Sequence, residues 1–230
     1  MFITEIFKSI QGESTYAGLP CVFVRLTGCN LRCTWCDTAY AFHGGKKYSV
    51  AEVMACVAEL SGPKAEAQAG KDLRLVEITG GEPLLQPETP ELARRLLDES
   101  YTVLIETSGE RDVSALPREV VKIVDVKCPD SRESGKFNPG NLDALDQKDE
   151  IKFVIASRRD YEFAREFAAE HALAGRVHEV LFSPVFADPE GKWAAMDARA
   201  LAEWILADGL QVRLGLQIHK FIWDPAMHGV

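Results

Sequence analysis

No run of 18 apolar residues occurs anywhere in the chain, so nothing in it reads as a membrane span. There is no internal repeat and no low-complexity segment. The opening residues, MFITEIFKSI, lack the basic start and long apolar core of a secretory signal, so a cytoplasmic protein with reduced thiols is the expectation. Cysteine is sparse: six in 230 residues are too few for a small disulfide-stapled domain. Positive charge is also short. Lys and Arg number 26 against 35 Asp and Glu, a net charge of −9, which argues against non-specific binding to nucleic acid or to an anionic membrane. What remains is an ordinary globular composition, 47% hydrophobic. A chain of this length forms one large domain, or at most two small ones, and removes roughly 70% of its unfolded surface from water.

Half of the cysteines stand together. Residues 28–37 read Gly-Cys-Asn-Leu-Arg-Cys-Thr-Trp-Cys-Asp, which places Cys29, Cys33 and Cys36 in a C-x3-C-x2-C spacing. A site closed by protein alone takes four ligands, as in structural zinc or an ordinary iron–sulfur cluster. Three thiolates leave one coordination position free, and a metal with a free position can bind a small molecule directly. On these residues alone a zinc knuckle completed by Cys21, Cys56, Cys128 or a histidine stays open. Otherwise Cys21, Cys56 and Cys128 read as small buried hydrophobes, with Cys128, beside a loop, the candidate reactive thiol.

Short β-branched runs alternate with helical patterns. Strands are predicted at 3–7, 21–26, 73–79, 102–106, 120–126, 150–156, 180–182 and 212–217. Ser49 and Glu52 form a capping box ahead of Val50, Val53, Met54, Val57 and Leu60 at helical spacing. Thr89 with Pro90, Ser157, and Asp197 with Gly209 frame three further helices. Residues 62–71 read as an exposed connection, 130–140 as a mobile loop. The polar and glycine motifs all fall at strand ends, which implies a parallel sheet with its site at the C-terminal rim. A full eight-fold barrel would be cramped in this length. The expected fold is therefore α/β: an incomplete, TIM-like barrel with some crossover helices shortened or missing, one domain over 1–230 with a cysteine loop at 28–42 and a tail at 218–230.

One strand after the cysteines comes Gly80-Gly81-Glu82-Pro83. Two glycines admit close backbone approach to a ligand, and Glu82 offers a carboxylate to an ammonium. With Trp35 before the third cysteine, this combination resembles the radical S-adenosylmethionine (SAM) superfamily, whose three cysteines hold a [4Fe–4S] cluster. Ser9-Ile10-Gln11-Gly12-Glu13, then Arg25, then Cys36-Asp37-Thr38, and finally Gln217-Ile218-His219-Lys220 narrow the resemblance to the 7-carboxy-7-deazaguanine synthase family over nearly the whole chain. The resemblance implies that Cys29, Cys33 and Cys36 ligate the cluster. It implies that Trp35, Cys36, Asp37, Gly80, Gly81, Glu82, Thr107, Ser108 and Lys127 hold SAM. Thr38 would ligate Mg²⁺. Ile10, Gln11, Gly12, Glu13, Arg25, Thr79, Gln217 and His219 would hold a pterin substrate, 6-carboxy-5,6,7,8-tetrahydropterin. It brings an electron donor such as flavodoxin, and it admits a homodimer. The implied reaction is hydrogen abstraction at C6 by a 5′-deoxyadenosyl radical, ring contraction and loss of ammonia. A glycyl-radical activating enzyme shares the cysteine triplet and minimal size but docks a protein, and a non-catalytic iron–sulfur or zinc module shares only the cysteines. Three departures stand out. Ser14 occupies a position where the family commonly has glycine. Asp125-Val126-Lys127 replaces a Ser-Pro-Lys found in some members. The tail beyond Trp223 is long, so Val230 receives no role.

Overall fold

A computed structural model describes residues 1–62 and 74–230. Its described residues form a nine-stranded sheet in the order β3-β1-β2-β4-β5-β6-β7-β8-β9. The strands are β1 (Phe2–Ile10), β2 (Pro20–Leu26), β3 (Lys46–Lys47), β4 (Leu75–Gly80), β5 (Thr102–Thr107), β6 (Val121–Asp125), β7 (Glu150–Ile155), β8 (Glu179–Pro184) and β9 (Arg213–Leu214). From β2 to β9 every pairing is parallel. β1 and β3 add an antiparallel edge that the sequence patterning did not distinguish.

The crossovers explain why the barrel is incomplete. Helix α1 (Val50–Ser61) lies between β2 and β4, and α2 (Thr89–Asp98) between β4 and β5. α3 (Arg158–Glu170) and the single turn α4 (Leu173–Arg176) join β7 to β8, and α5 (Ala198–Asp208) joins β8 to β9. No α-helix joins β5 to β6 or β6 to β7, and only two 3₁₀ turns lie between β6 and β7. A last turn, α6 (His219–Ile222), lies in the tail. Among the described residues no helix is long and apolar enough to cross a membrane.

Local sequence accounts for the helix ends. The Ser49–Glu52 capping box forms, with Ser49 Oγ accepting from Glu52 N and Glu52 accepting from Ser49 N. Ser157 and Asp197 cap α3 and α5, and Gly209 closes α5 in the left-handed region. Thr89 departs from its expected role. It is the first helical residue, and its hydroxyl donates to the Pro83 carbonyl at 2.7 Å instead of capping. The predicted strand at 212–217 shortens to two residues because Gly215 N reaches back to Phe182 O and Ile218 N turns to Gly12 O. Of the predicted connection at 62–71, all but residue 62 lies outside the described residues.

Strand alternation splits the core in two. Val22, Val24, Val76, Ile78, Ile105, Val124, Ile151 and Phe153 point outward and pack under the helices. A smaller inner cluster of Cys21, Phe23, Leu75, Leu104, Val121 and Ile123 fills the inside of the sheet. Each fully buried large apolar side chain contributes about 1.5–3 kcal/mol by leaving water. The inner cluster stops after these positions, and the next inward residues toward the strands' C-terminal ends are polar: Arg25, Glu77, Thr79, Glu106, Asp125 and Lys152.

Candidate active site

A cavity of about 750 Å³ opens at that rim. Its walls take in Cys29, Cys33 and Cys36, the ends of β4 to β7, the turn after β1, and the tail. Nineteen of the twenty residues singled out in the sequence line it; Glu82 is the exception.

The cysteine loop is held from two sides. Gly28 N donates to Ala41 O, and Thr34 N to Ser131 O. Arg32 N donates to the Glu133 carboxylate at 2.6 Å, and the Ser131 hydroxyl donates to Cys128 O. Ser131 and Glu133 are buried. The stretch 130–140, expected to be mobile, is thus an ordered buttress, because its polar groups are spent on the cysteine loop. Gly81 meets the loop as well: a Cβ there would stand 2.4 Å from Gly28 O and 2.7 Å from Cys29 Cβ. Burial pushes the three thiols upward, Cys33 to about 11, so metal loading must release protons. No three His, Cys, Asp or Glu side chains among the described residues converge on a single-ion site. Three thiols spread along one wall suit a cluster of several metals. Cys128 is 1% exposed and its thiol is raised well above its ordinary value by burial, so it is inert where a reactive thiol was expected. Cys21 is buried as expected, whereas Cys56 is only half-buried.

Glu82 is placed differently from the other candidates. Its carboxylate is fully buried and accepts four hydrogen bonds, from Leu84 N at 3.0 Å, Thr107 Oγ1 at 2.8 Å, Ser108 N at 2.8 Å and Ser108 Oγ at 2.7 Å. It locks the end of β4 to the end of β5 and does not face the cavity. The Thr107 and Ser108 hydroxyls line the cavity but spend their protons on Glu82. At this corner the groups left to meet an ammonium are backbone carbonyls near Gly80 and Gly81.

Lower in the cavity the charges interlock. Lys127 Nζ donates to Asp125 Oδ2 at 2.6 Å; burial would lower its pKa, but Asp125 and Cys33 outweigh burial and raise it. The other Asp125 oxygen is buried without a partner. Lys152 Nζ contacts Glu13 Oε2 at 2.9 Å and also Glu106 Oε1. Glu13 takes a second bond at 2.7 Å from Gln217 Nε2, 204 residues away in the chain. Burial works to raise Glu13, but Lys152, His219 and these hydrogen bonds outweigh it and hold its carboxyl at about 2. Gln11 is used internally, donating to Glu77 and accepting from Glu13 N at 3.0 Å. His219 packs on Gly12 so closely that a Cβ there would fall 1.9 Å from its Nδ1, and burial lowers its pKa.

Arg25 donates through Nε to Glu5 at 2.7 Å and lies 5.9 Å over both the Phe7 and Tyr40 rings. Tyr40 also donates to Glu5, and the His228 ring stacks on Tyr40 at 3.9 Å. Asp37, whose side chain is 46% exposed, pairs with Lys220 and accepts from Thr38 Oγ1 at 3.0 Å; water screens that pair. Ile10, Trp35, Thr38 and Thr79 complete the lining. Sequence reasoning assigned no role to Glu5, Tyr40, Glu77, Glu106, Asp125, Lys152 or the last seven residues. For the strand residues a signal existed. Parallel strands covered on both faces run apolar, so a charge inside one marks the inner face.

Comparison with known proteins agrees. The pattern of the Radical SAM superfamily matches residues 23–130. The 7-carboxy-7-deazaguanine synthase of Koribacter versatilis (strain Ellin345) is 56% identical over the whole of both chains. That of Chlorobaculum tepidum is 41% identical over 99% of this chain and 96% of its own. The crystal structure of QueE from Escherichia coli aligns at TM-score 0.69 over 94% of this chain and 92% of its own; at 23% identity this is a likeness of fold. With a three-thiol wall above a charged cavity, and relatives matched from end to end, the chain belongs to the 7-carboxy-7-deazaguanine synthase family of radical SAM enzymes.

Proposed function

We propose that this chain converts 6-carboxy-5,6,7,8-tetrahydropterin to 7-carboxy-7-deazaguanine with loss of ammonia, a step towards 7-deazapurines such as queuosine. The observation that carries the reading is one cavity joining the three thiols to Arg25 and to a carboxylate–ammonium floor. Membership of the family brings a [4Fe–4S] cluster and SAM, which when bound supply the radical that removes the pterin C6 hydrogen. Cys29, Cys33 and Cys36 would hold the cluster through their three thiolates. Lys127 is the cation for the SAM carboxylate, and Trp35, Asp37, Thr107 and Ser108 shape its pocket. Arg25, already oriented by Glu5, receives the pterin carboxylate on its free edge. Glu13, Gln217 and His219 meet the ring. Thr38 is the hydroxyl for a Mg²⁺, a hard ion that takes oxygen ligands. We extend the reading to a flavodoxin-type reductant and a cytoplasmic homodimer, as the family resemblance implies. The test is anaerobic incubation of the reconstituted chain with SAM, reductant and the carboxylated pterin. Deazapurine appearing with ammonia supports the reading; SAM cleavage that ignores the pterin sinks it.

A further inference from the structure

Lys152 is the least exposed of the three groups in its bridge to Glu13 and Glu106. Its side chain is 5% exposed, against 20% for Glu13 and 27% for Glu106, the two carboxylates that it bridges. All three line the cavity, with the ammonium set deeper than the carboxylates. β7 puts it there: Lys152 is in register with Asp125 of β6, and its neighbours Ile151 and Phe153 point outward into the core. A ligand in the cavity would therefore meet Glu13 and Glu106 first, with Lys152 gripping both from deeper in the wall.

The charge balance around it is uneven. Glu13 arrives from the turn after β1, Glu77 from β4, Glu106 from β5 and Asp125 from β6, all lining the same cavity. Of the cations facing them, Arg25 is paired with Glu5 and Lys127 with Asp125. His219, from the tail, is held toward its neutral form by burial. Among the described residues Lys152 is left as the one ammonium in contact with both Glu13 and Glu106. Two carboxylates brought together out of bulk water do not both stay ionised without a cation, and one of them takes a proton. A carboxylate only accepts hydrogen bonds, whereas a protonated carboxyl presents a donor.

We propose that Lys152 is a positioning residue for the substrate: by bridging Glu13 and Glu106 it keeps both as ionised acceptors, paired for the N–H donors along the edge of an aminopyrimidinone ring. This rests on the pterin reading above and adds to it the reason that the cavity floor selects a donor-rich ring edge. The direction of the neighbouring ionisations supports it. Burial raises Glu106, with Glu13 and Asp125 adding to the rise, and Lys152 is the opposing charge. Lys152 is itself raised well above an ordinary lysine by Glu106, Glu13 and Asp125, against burial, so it stays charged throughout the working pH range. Glu106 is consequently the group that takes the proton when the ammonium is removed.

The test uses the cluster-loaded chain and two readouts. In the first, Lys152→Met and Lys152→Arg are compared with the parent for pterin KM and kcat between pH 6.5 and 8.5. Lys152→Met should raise KM at least tenfold at pH 7, with the defect shrinking as pH rises and Glu106 ionises, while the parent KM stays flat. Lys152→Arg should recover most of the loss. A KM within twofold of the parent, or a defect that neither depends on pH nor responds to arginine, overturns the proposal. The second readout needs no pterin. In a Glu77→Gln background, which removes the carboxyl already protonated near neutrality, infrared difference spectra at pH 7 should show a new protonated carboxyl in Lys152→Met. That band should vanish when Glu106→Gln is added. Its absence in Lys152→Met also overturns the proposal, even if the parent turns over the pterin. A parent that makes no deazapurine would instead refute the functional reading, with the infrared result still deciding the ionisation of the pair.

Discussion

Glu77 is 3% exposed, and burial, with Glu106 and Glu13 nearby, pushes its carboxyl up to about 8. The unfolded chain would ionise it near 4.5. Between these values the folded chain holds a proton that the unfolded chain has released, so the group lowers stability progressively as pH rises from about 4.5 to about 8. Glutamine keeps the carbonyl that accepts from Gln11 and cannot ionise. Glu77→Gln should therefore melt close to the parent at pH 5 and above it at pH 8.5, at about 2–4 °C for each kcal/mol recovered in a chain of this size. Thermal scans at the two pH values decide it: a gap that is equal at both, or larger at pH 5, would show that Glu77 is ionised in the folded chain. Ser14 shows the same economy at a single position. Its φ of 61° lies in the left-handed region, where glycine is at ease, which fits the glycine that the family resemblance leads one to expect there. This chain keeps the backbone and compensates with a hydrogen bond from Tyr16 N to Ser14 Oγ at 3.1 Å.

At the scale of elements, what positions the chemistry is the meeting of two loops, one after β2 and one after β4. Gly81 N donates to Leu26 O and Glu82 N to Gly28 O, which ties the Gly-Gly-Glu-Pro turn to the root of the cysteine loop. From sequence, Gly81 suggested an opening for SAM; in the fold its missing side chain is what lets Cys29 pass. Gly81→Val should therefore lower iron bound per chain by at least half after reconstitution, since valine's branched Cβ has nowhere to go against backbone. Iron assay with the cluster's visible absorbance checks it, and full loading with weakened SAM binding would return the glycine to the SAM pocket alone. The elements themselves were legible where local chemistry decides them, as in the Ser49–Glu52 box and the Gly209 cap. The 130–140 stretch was not legible as a buttress, because its partners Arg32 and Thr34 are contacts that only the fold creates.

Across the whole molecule, the cavity is closed by the tail. The cysteine triplet, Arg25, and the motifs after β1 and β4 were readable because each is a local pattern. Glu77, Asp125 and Lys152 were hidden as single charges in strands, and Glu5, Tyr40 and His228 because nothing local joins them. The tail now has a physical role to test. Asp224 to Val230 all line the cavity, and His228 stacks on Tyr40, whose hydroxyl and Arg25 share Glu5. None of these seven residues belongs to the buried core, and Met227 is 53% exposed, so the fold does not depend on them. What they cover is the flank where a substrate carboxylate would meet Arg25, and excluding water there strengthens that ion pair. A chain ending at Trp223 should keep its melting temperature within a few degrees and its iron content, yet raise the pterin KM about tenfold. It should also release more 5′-deoxyadenosine per deazapurine, because a loosely held ring misses the productive geometry, where about 1 Å of misplacement can cost roughly a hundredfold in rate. Parallel assays of deoxyadenosine and deazapurine measure that ratio. If the shortened chain shows the parent's KM and ratio, the tail only borders the cavity, and Arg25 with Glu5 holds the carboxylate unaided.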